Sequence, residues 1–191
     1  MLTRVRFATT LALLSTAALA IAEDKPAAGE RTVAVAEGKL TFATPEGWEQ
    51  KEPKIRIIEA ELHAPAAKGD EAPGRLTVMG AGGAIEANID RWVGQFEQPD
   101  GSDTKKQAKT EKLKVNGNTV HYVDIAGTYR DMVGGPFAGG KTVLREDYRM
   151  LAAIVETDKV GNYFFKFYGP KATVAENEKA FRGLVDSLKA K

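Results

Sequence analysis

Apolar residues along this chain follow two rhythms. From Thr32 to Gly80 the period is two. Thr32–Ala36 and Lys39–Thr44 are short alternating runs around Glu37-Gly38, which predicts a hairpin closed by a two-residue turn. Thr44-Pro45-Glu46-Gly47-Trp48 predicts a turn that delivers Trp48 to the edge of the core. Lys54–Ala64 alternates at length, with Ile55, Ile57, Glu59, Glu61 and His63 on one face and Arg56, Ile58, Ala60 and Leu62 on the other. Arg75–Gly80 predicts one more short strand.

At Ala84 the period changes. Ile85, Ile89, Trp92, Val93 and Phe96 form the stripe of an amphipathic helix over Ala84–Gln98, ended by Pro99-Asp100-Gly101. Strand signals then return. Glu111–Val115 and Thr119–Tyr129 flank an Asn-Gly turn, a loop is expected over Asp131–Leu144, and Tyr148–Glu156 and Asn162–Tyr168 make a further hairpin around Asp158–Gly161. The last two runs are apolar on both faces, with Lys166 the exception, which places them mid-sheet with both sides covered. After the breaker Gly169-Pro170, Thr173 and Glu176 spell a capping box, and Val174, Phe181, Leu184, Val185 and Leu188 give a second apolar stripe. Hairpin-linked strands with one central and one terminal helix predict an α+β fold: an antiparallel sheet of about six to eight strands packed with a central helix and a C-terminal helix.

The N-terminus reads differently from the rest. Arg4 and Arg6 precede an uncharged run from Phe7 to Ala22 that closes on small residues in A-x-A form, at Ala18-Leu19-Ala20 or Ala20-Ile21-Ala22. This is the pattern of a secretory signal peptide, expected over residues 1–22 and shorter than the about 20 residues of a membrane span. Residues 23–31, polar and Pro/Gly/Ala-rich, read as a flexible lead-in, and residues 32–191 as a single domain. The expected product is an exported protein, periplasmic or secreted, with no membrane span after cleavage.

Composition narrows the chemistry. The chain has 191 residues, a formal net charge of +1 and no cysteine. Without cysteine there are no disulfides, thiolate zinc sites, iron–sulfur clusters or Cys nucleophiles. A balanced charge gives no case for nucleic acid or an anionic membrane.

The order of motifs carries a family resemblance. It runs from a hairpin start into F-x-x-P-x-G-W (Phe42, Pro45, Gly47, Trp48) and a central helix with N-x-x-R-W (Asn88, Arg91, Trp92). It closes on G-N-Y-F-F-K-F-Y-G-P and a terminal helix ending in D-S-L at Asp186 to Leu188. This layout, from about Thr32 to Leu188, resembles the PsbP-like class, named for an extrinsic subunit of photosystem II and shared with a Ran-binding nuclear import factor. It also resembles uncharacterised exported bacterial members of that class. The resemblance implies an antiparallel sheet between helices and binding rather than catalysis, and it carries no catalytic residue across.

Several motifs compete with that reading. Gly135–Thr142 matches G-x-x-x-x-G-K-[ST], but a P-loop needs a buried parallel strand before it and a helix starting at its lysine. Here Val143–Glu156 reads as strand and Pro136 stiffens the loop, so a glycine-rich connection is expected. Gly80-Ala81-Gly82-Gly83 lacks the third glycine of a dinucleotide fingerprint, with Ile85 in its place, and predicts a tight strand-to-helix turn. His63 and His121 sit in strand patterns with no partner at ligand spacing, and Asp124, Asp131 and Asp147 lack D-x-D-x-D spacing. No G-x-S-x-G elbow exists. Thr104–Lys114 holds five lysines and one glutamate, as suits a solvated strand edge that resists edge-to-edge pairing.

What remains is the stretch around Asp131–Leu144. Met132, Phe137, Lys141, Arg145 and Tyr148 are the candidate partner-binding residues, because long loops on antiparallel scaffolds are common binding sites. The expected function is a non-enzymatic exported binding or interaction module that needs no cofactor. Its partner is another exported protein or a small ligand. A ligand-binding cavity between sheet and helix, or an enzyme of another class, are the alternatives.

Overall fold

Tyr163–Tyr168, apolar on both faces but for Lys166, lies at the centre of the main sheet. The computed structural model describes residues 31–132 and 141–191, so the expected signal segment, nearly all of the lead-in, and Phe137 lie outside the described residues. The chain runs β1 (Thr32–Val35), β2 (Leu40–Ala43), β3 (Glu49–Lys51), β4 (Ala60–Ala64), β5 (Gly74–Gly80), α1 (Ile85–Val93), β6 (Phe96–Glu97) and α2 (Thr104–Gln107). It continues through β7 (Lys109–Val115), β8 (Asn118–Met132), β9 (Thr142–Thr157), β10 (Gly161–Pro170), α3 (Lys171–Glu176), α4 (Glu178–Asp186) and β11 (Lys189–Ala190).

Eight strands form the main sheet in the order β3-β4-β5-β10-β9-β8-β6, with β7 also paired to β8. A second sheet has the order β1-β2-β11. The pairings are antiparallel, as the hairpin-rich sequence predicts. The fold is α+β, with the antiparallel sheet and the central and C-terminal helices expected.

Alternation along β10 builds two cores at once. Tyr163, Phe165 and Phe167 face α3, α4 and the small sheet, where Phe165 meets Phe42 edge-on at 5.3 Å and Phe167 lies 4.8 Å from Trp48 and 5.7 Å from Phe181. On the opposite face Phe164 joins Met150, Ala152, Ile154, Val123 and Ile125, and meets Trp92 of α1 at 5.5 Å. Each of these buried aromatics contributes about 1.5–3 kcal/mol relative to exposure. The Asn-Gly turn forms as expected, with Asn116 at φ 47° and Gly117 at φ 85° between Val115 and its partner Asn118.

Five expectations are corrected. The central helix stops at Val93, not Gln98: Gly94 is a poor helix former, and Gln95 and Phe96 turn their backbones to β8, Gln95 accepting from the Arg130 N–H at 2.8 Å. Phe96 is buried as expected, but from a strand. The run from Lys54 is a strand only over Ala60–Ala64. Residues 54–58 turn, with the Ile58 N–H on Ile55 O, and Ile57 is 59% exposed. The first hairpin uses Ala36–Lys39 rather than two residues, with Ala36, Glu37 and Gly38 all at positive φ and the Ala36 N–H held by Glu59 Oε2 at 2.7 Å. The capping box does not form: Asp70 Oδ2 accepts from both the N–H and the O–H of Thr173, at 2.9 and 2.6 Å, and Asn177 breaks the terminal helix in two. Lastly, the segment expected to be a loop over Asp131–Leu144 is shortened from both ends, since strand pairing continues to Met132 opposite Thr142. The short elements β3, α2 and β11 carry too few residues for a periodic signal.

Candidate functional site

Helix α1 covers only part of its sheet face. Beyond Phe164 the same face of β10 presents Lys166 and Tyr168, because residues two apart share a face. Register brings the rest alongside: Tyr168 stands opposite Arg75 on β5, and His63 on β4 opposite Arg75 from the other side. The uncovered half of the face is therefore built of tyrosines, cations and one buried carboxylate.

Lys166 is its centre. Its Nζ donates to Gln95 Oε1 at 2.6 Å and lies 3.1 Å from the Tyr129 hydroxyl. It also sits 5.0 Å from the Tyr129 ring centre and 4.9 Å from that of Tyr168. Burial pushes the amine down from its ordinary 10.5 to about 7, with Arg75 and Arg91 pushing the same way and Asp131 against them. Cation–π contacts favour the charged form by about 0.5–2 kcal/mol each. Burial can move a lysine by three units or more, so it prevails.

Around this amine the other groups are held in place. Arg75 grips Glu61 with a two-point fork at 2.9 and 2.7 Å and donates to the Tyr168 hydroxyl at 2.6 Å. Glu61, 7% exposed, also takes His63 Nε2 at 2.9 Å. The hydrogen bond from Arg75 holds the Glu61 carboxyl below the usual carboxylate range, against the opposing effect of burial. Burial raises the hydroxyls of Tyr129, Tyr168 and Tyr148 above the ordinary tyrosine value. Tyr129 stacks on Tyr148 at 6.2 Å and lies 5.2 Å from Tyr168.

A bulge decides which residues of β9 join this face. Gly127 pairs with Tyr148 but Tyr129 pairs with Arg145, so Glu146 and Asp147 together oppose Thr128. Asp147 takes φ 50° and Gly127 φ 148° at the irregularity. The extra residue reverses the parity of β9, as bulges do. Arg145 comes to the Tyr129 side, where it donates from Nε and Nη2 to Asp131 Oδ2, both at 3.3 Å.

The sequence candidates thus divide. Arg145 and Tyr148 lie on the Lys166 face. Met132, 43% exposed, shares the opposite side of the β8–β9 arm with Leu144, 58% exposed. Lys141 is exposed and leads directly into strand β9, so the helix a P-loop requires is not there. The glycine run after β5 makes the expected tight turn, closed by Asn88 Nδ2 donating to Gly82 O and Ala84 O. His121 contacts Glu156 at 2.6 Å. Asp124 is gripped by Arg149, which also binds Glu178 and so ties α4 to the far face. Among the described residues no three His, Asp or Glu side chains cluster closely enough to hold a metal ion, and no helix is long and apolar enough to cross a membrane.

Sequence reasoning missed Lys166, Tyr129, Tyr168, Arg75 and Glu61 as a group. The available signal was the lone charge in a strand apolar on both sides. A lysine there must be either unpaired or caged.

No known protein-family profile matches the chain, and no curated protein matches it. Among solved structures, a cyanobacterial PsbP, CyanoP from Synechocystis sp. PCC 6803, is 11% identical, with a TM-score of 0.49 over 84% of this chain and 92% of that one. A protein of unknown function, PA94 from Pseudomonas aeruginosa, is 11% identical with a TM-score of 0.46 over 85% and 97% of the two chains. The Ran-binding protein Mog1p of Saccharomyces cerevisiae is 11% identical with a TM-score of 0.44 over 84% and 95%. Both kinds of protein named with the PsbP-like resemblance are thus among the chains similar to this one, and the likeness is one of fold alone.

Proposed function

We propose that this chain is an exported, non-catalytic binding module whose contact face is the open, polar-aromatic half of the main sheet together with the β8–β9 arm. One observation carries the reading: half-buried Tyr148, Tyr168, Arg75, Arg145 and Lys166 gather around the buried Tyr129 on one face, and the adjoining β8–β9 arm exposes Met132 and Leu144 on its other side. Tyr, Arg and Met are the residue types enriched where proteins meet partners. The partner is another exported protein. A ligand cavity between sheet and helix finds less support, because Trp92, Phe96 and Phe164, each at most 3% exposed, fill that space. Glu61 is engaged by both His63 and Arg75.

A photo-crosslinking residue at Arg145 or Met132, with exposed Lys179 on α4 as control, tests this in the producing cell. A discrete adduct from the first two positions and none from Lys179 is the expected result. Equal adducts from all three, or none from any, would reject the face. Export is tested by N-terminal sequencing: the exported form should begin at Glu23, and an intact Met1 in the membrane fraction would reject it.

A further inference from the structure

We propose that strand β7 is a strand-addition site that takes an acidic, extended segment of a partner protein. β7 is an edge of the main sheet: its seven residues pair with β8 alone, in unbroken register from Lys109 opposite Asp124 to Val115 opposite Asn118. No other backbone bond reaches it among the described residues. Alternate residues of an edge strand turn their N–H and C=O groups outward, where another strand can take them. At the other end of the sheet β3 has only three residues, whereas β7 is long and carries neither proline nor bulge.

This edge is unroofed on both faces. On the α4 side a cavity of about 160 Å³ lies among Lys109, Glu111, Tyr122, Leu151, Phe181 and Arg182. On the α1 side a wider groove of about 400 Å³ lies among Ile89, Lys105, Thr110, Lys112 and His121. Alternation accounts for the division: Glu111 stands opposite Tyr122 on one face, and Lys112 opposite His121 on the other. A strand laid against β7 therefore sends successive side chains to the two hollows in turn, the arrangement by which added strands gain specificity beyond their backbone bonds. The first hollow has apolar walls in the buried Leu151, Phe181 and Tyr122.

Charge selects the occupant. Carboxylates near the edge are already engaged: Asp90 by Lys105 at 2.7 Å, Glu111 by Arg182 at 3.4 Å and Glu156 by His121 at 2.6 Å. Exposed Lys106, Lys109, Lys112 and Lys114 have no ion pair among the described residues. Lysines disfavour pairing of β7 with its copy in a second molecule, whereas an acidic strand meets complementary charge. The segment that fits alternates acidic residues, toward Lys112 and Lys114, with apolar ones toward Leu151 and Phe181. None of the residues in the crosslinking test above belongs to this edge, so either proposal can fail while the other stands.

The test is an NMR titration of the full chain with a peptide of the length of β7 that alternates Glu with Val or Leu. Amide shifts should move along Lys109–Val115 and at Tyr122 and Phe181, and amide exchange should slow at alternate residues of β7. Affinity should fall several-fold between about 0.05 and 0.3 M salt. It should fall at least about tenfold in the double variant Lys112→Glu, Lys114→Glu, and equally for a peptide with Lys in place of Glu, which leaves the protein unchanged. No shifts at about 1 mM peptide, shifts centred away from β7, or equal binding of the lysine peptide would overturn the proposal. Protection of β7 that grows with protein concentration in the absence of peptide would assign the edge to a second copy of the chain, and would overturn it as well.

Discussion

The Trp48 indole N–H donates to Asn177 Oδ1 at 3.0 Å, joining the turn after β2 to the break between α3 and α4. Asn177 also donates Nδ2 to Thr173 O at 2.9 Å and Pro65 O at 3.2 Å, so one amide closes α3 and pins two distant loops. Trp48 and Asn177 are 1% and 8% exposed, which keeps water from replacing the lost partners. Asn177→Ala should therefore cost about 2–4 kcal/mol, mainly the desolvation of groups left unpaired. Urea unfolding followed by tryptophan fluorescence measures this, and a change below about 0.5 kcal/mol would contradict the role assigned to the amide.

Trp92 and Phe181 lie in the two cores, on opposite faces of one sheet. Each truncation to alanine should cost about 3–5 kcal/mol. The two clusters share no side chain, so the double variant should equal the sum within about 0.5 kcal/mol. A coupling well above that, or unchanged melting temperatures, would break the two-core description.

Gly127 sits at the bulge with φ 148°, and a Cβ there would lie 2.6 Å from Glu97 O. Backbone cannot yield as a flexible side chain does. Gly127→Ala should cost about 2–4 kcal/mol from overpacking and strain together. It should also loosen β6, which hydrogen exchange at Phe96, Glu97 and Tyr129 would report. Protection unchanged at those amides would show that the bulge does not hold β6.

How much of this could be read from the residues differs by element. Strands β8 to β10, the Asn-Gly turn and the two-sided burial of Phe164 and Phe165 follow from composition and alternation alone. The split of the terminal helix does not, because Asp70 and Trp48, about a hundred or more residues away, compete for Thr173 and Asn177. Of the site, the arm was visible and its chemistry was not. The parity flip at Asp147 puts Arg145 with Tyr148, where regular alternation would have separated them. Glu61, Arg75 and Tyr168 meet only through register between β4, β5 and β10.

Stability should vary with pH through the same face. Lys166 has a folded value of about 7 against an ordinary 10.5, so between those limits the unfolded chain binds more protons and stability rises with pH. Above about pH 10 the buried tyrosines reverse the trend, since the unfolded chain ionises them first. On the acid side Glu61 contributes stability above about pH 4.3 that is lost as the pH falls through its lowered folded value. Lys166→Met should flatten the rise between pH 7 and 9.5 and stabilise the protein at pH 7, by an order of 2–4 kcal/mol. Unfolding curves across that range give the answer; a variant with the same slope as the parent would remove Lys166 as its source.

The most direct measurement follows the Lys166 side chain itself by NMR, with ¹⁵Nζ and ¹³Cε shifts recorded from pH 5 to 11 on the folded protein. If the open half of the sheet is a built site, Lys166 titrates near 7, far below the other lysines, and its midpoint moves upward when Arg75→Met removes the neighbouring positive charge. A Lys166 midpoint near 10.5, indistinguishable from that of Lys179, would mean that the face is ordinary solvated surface.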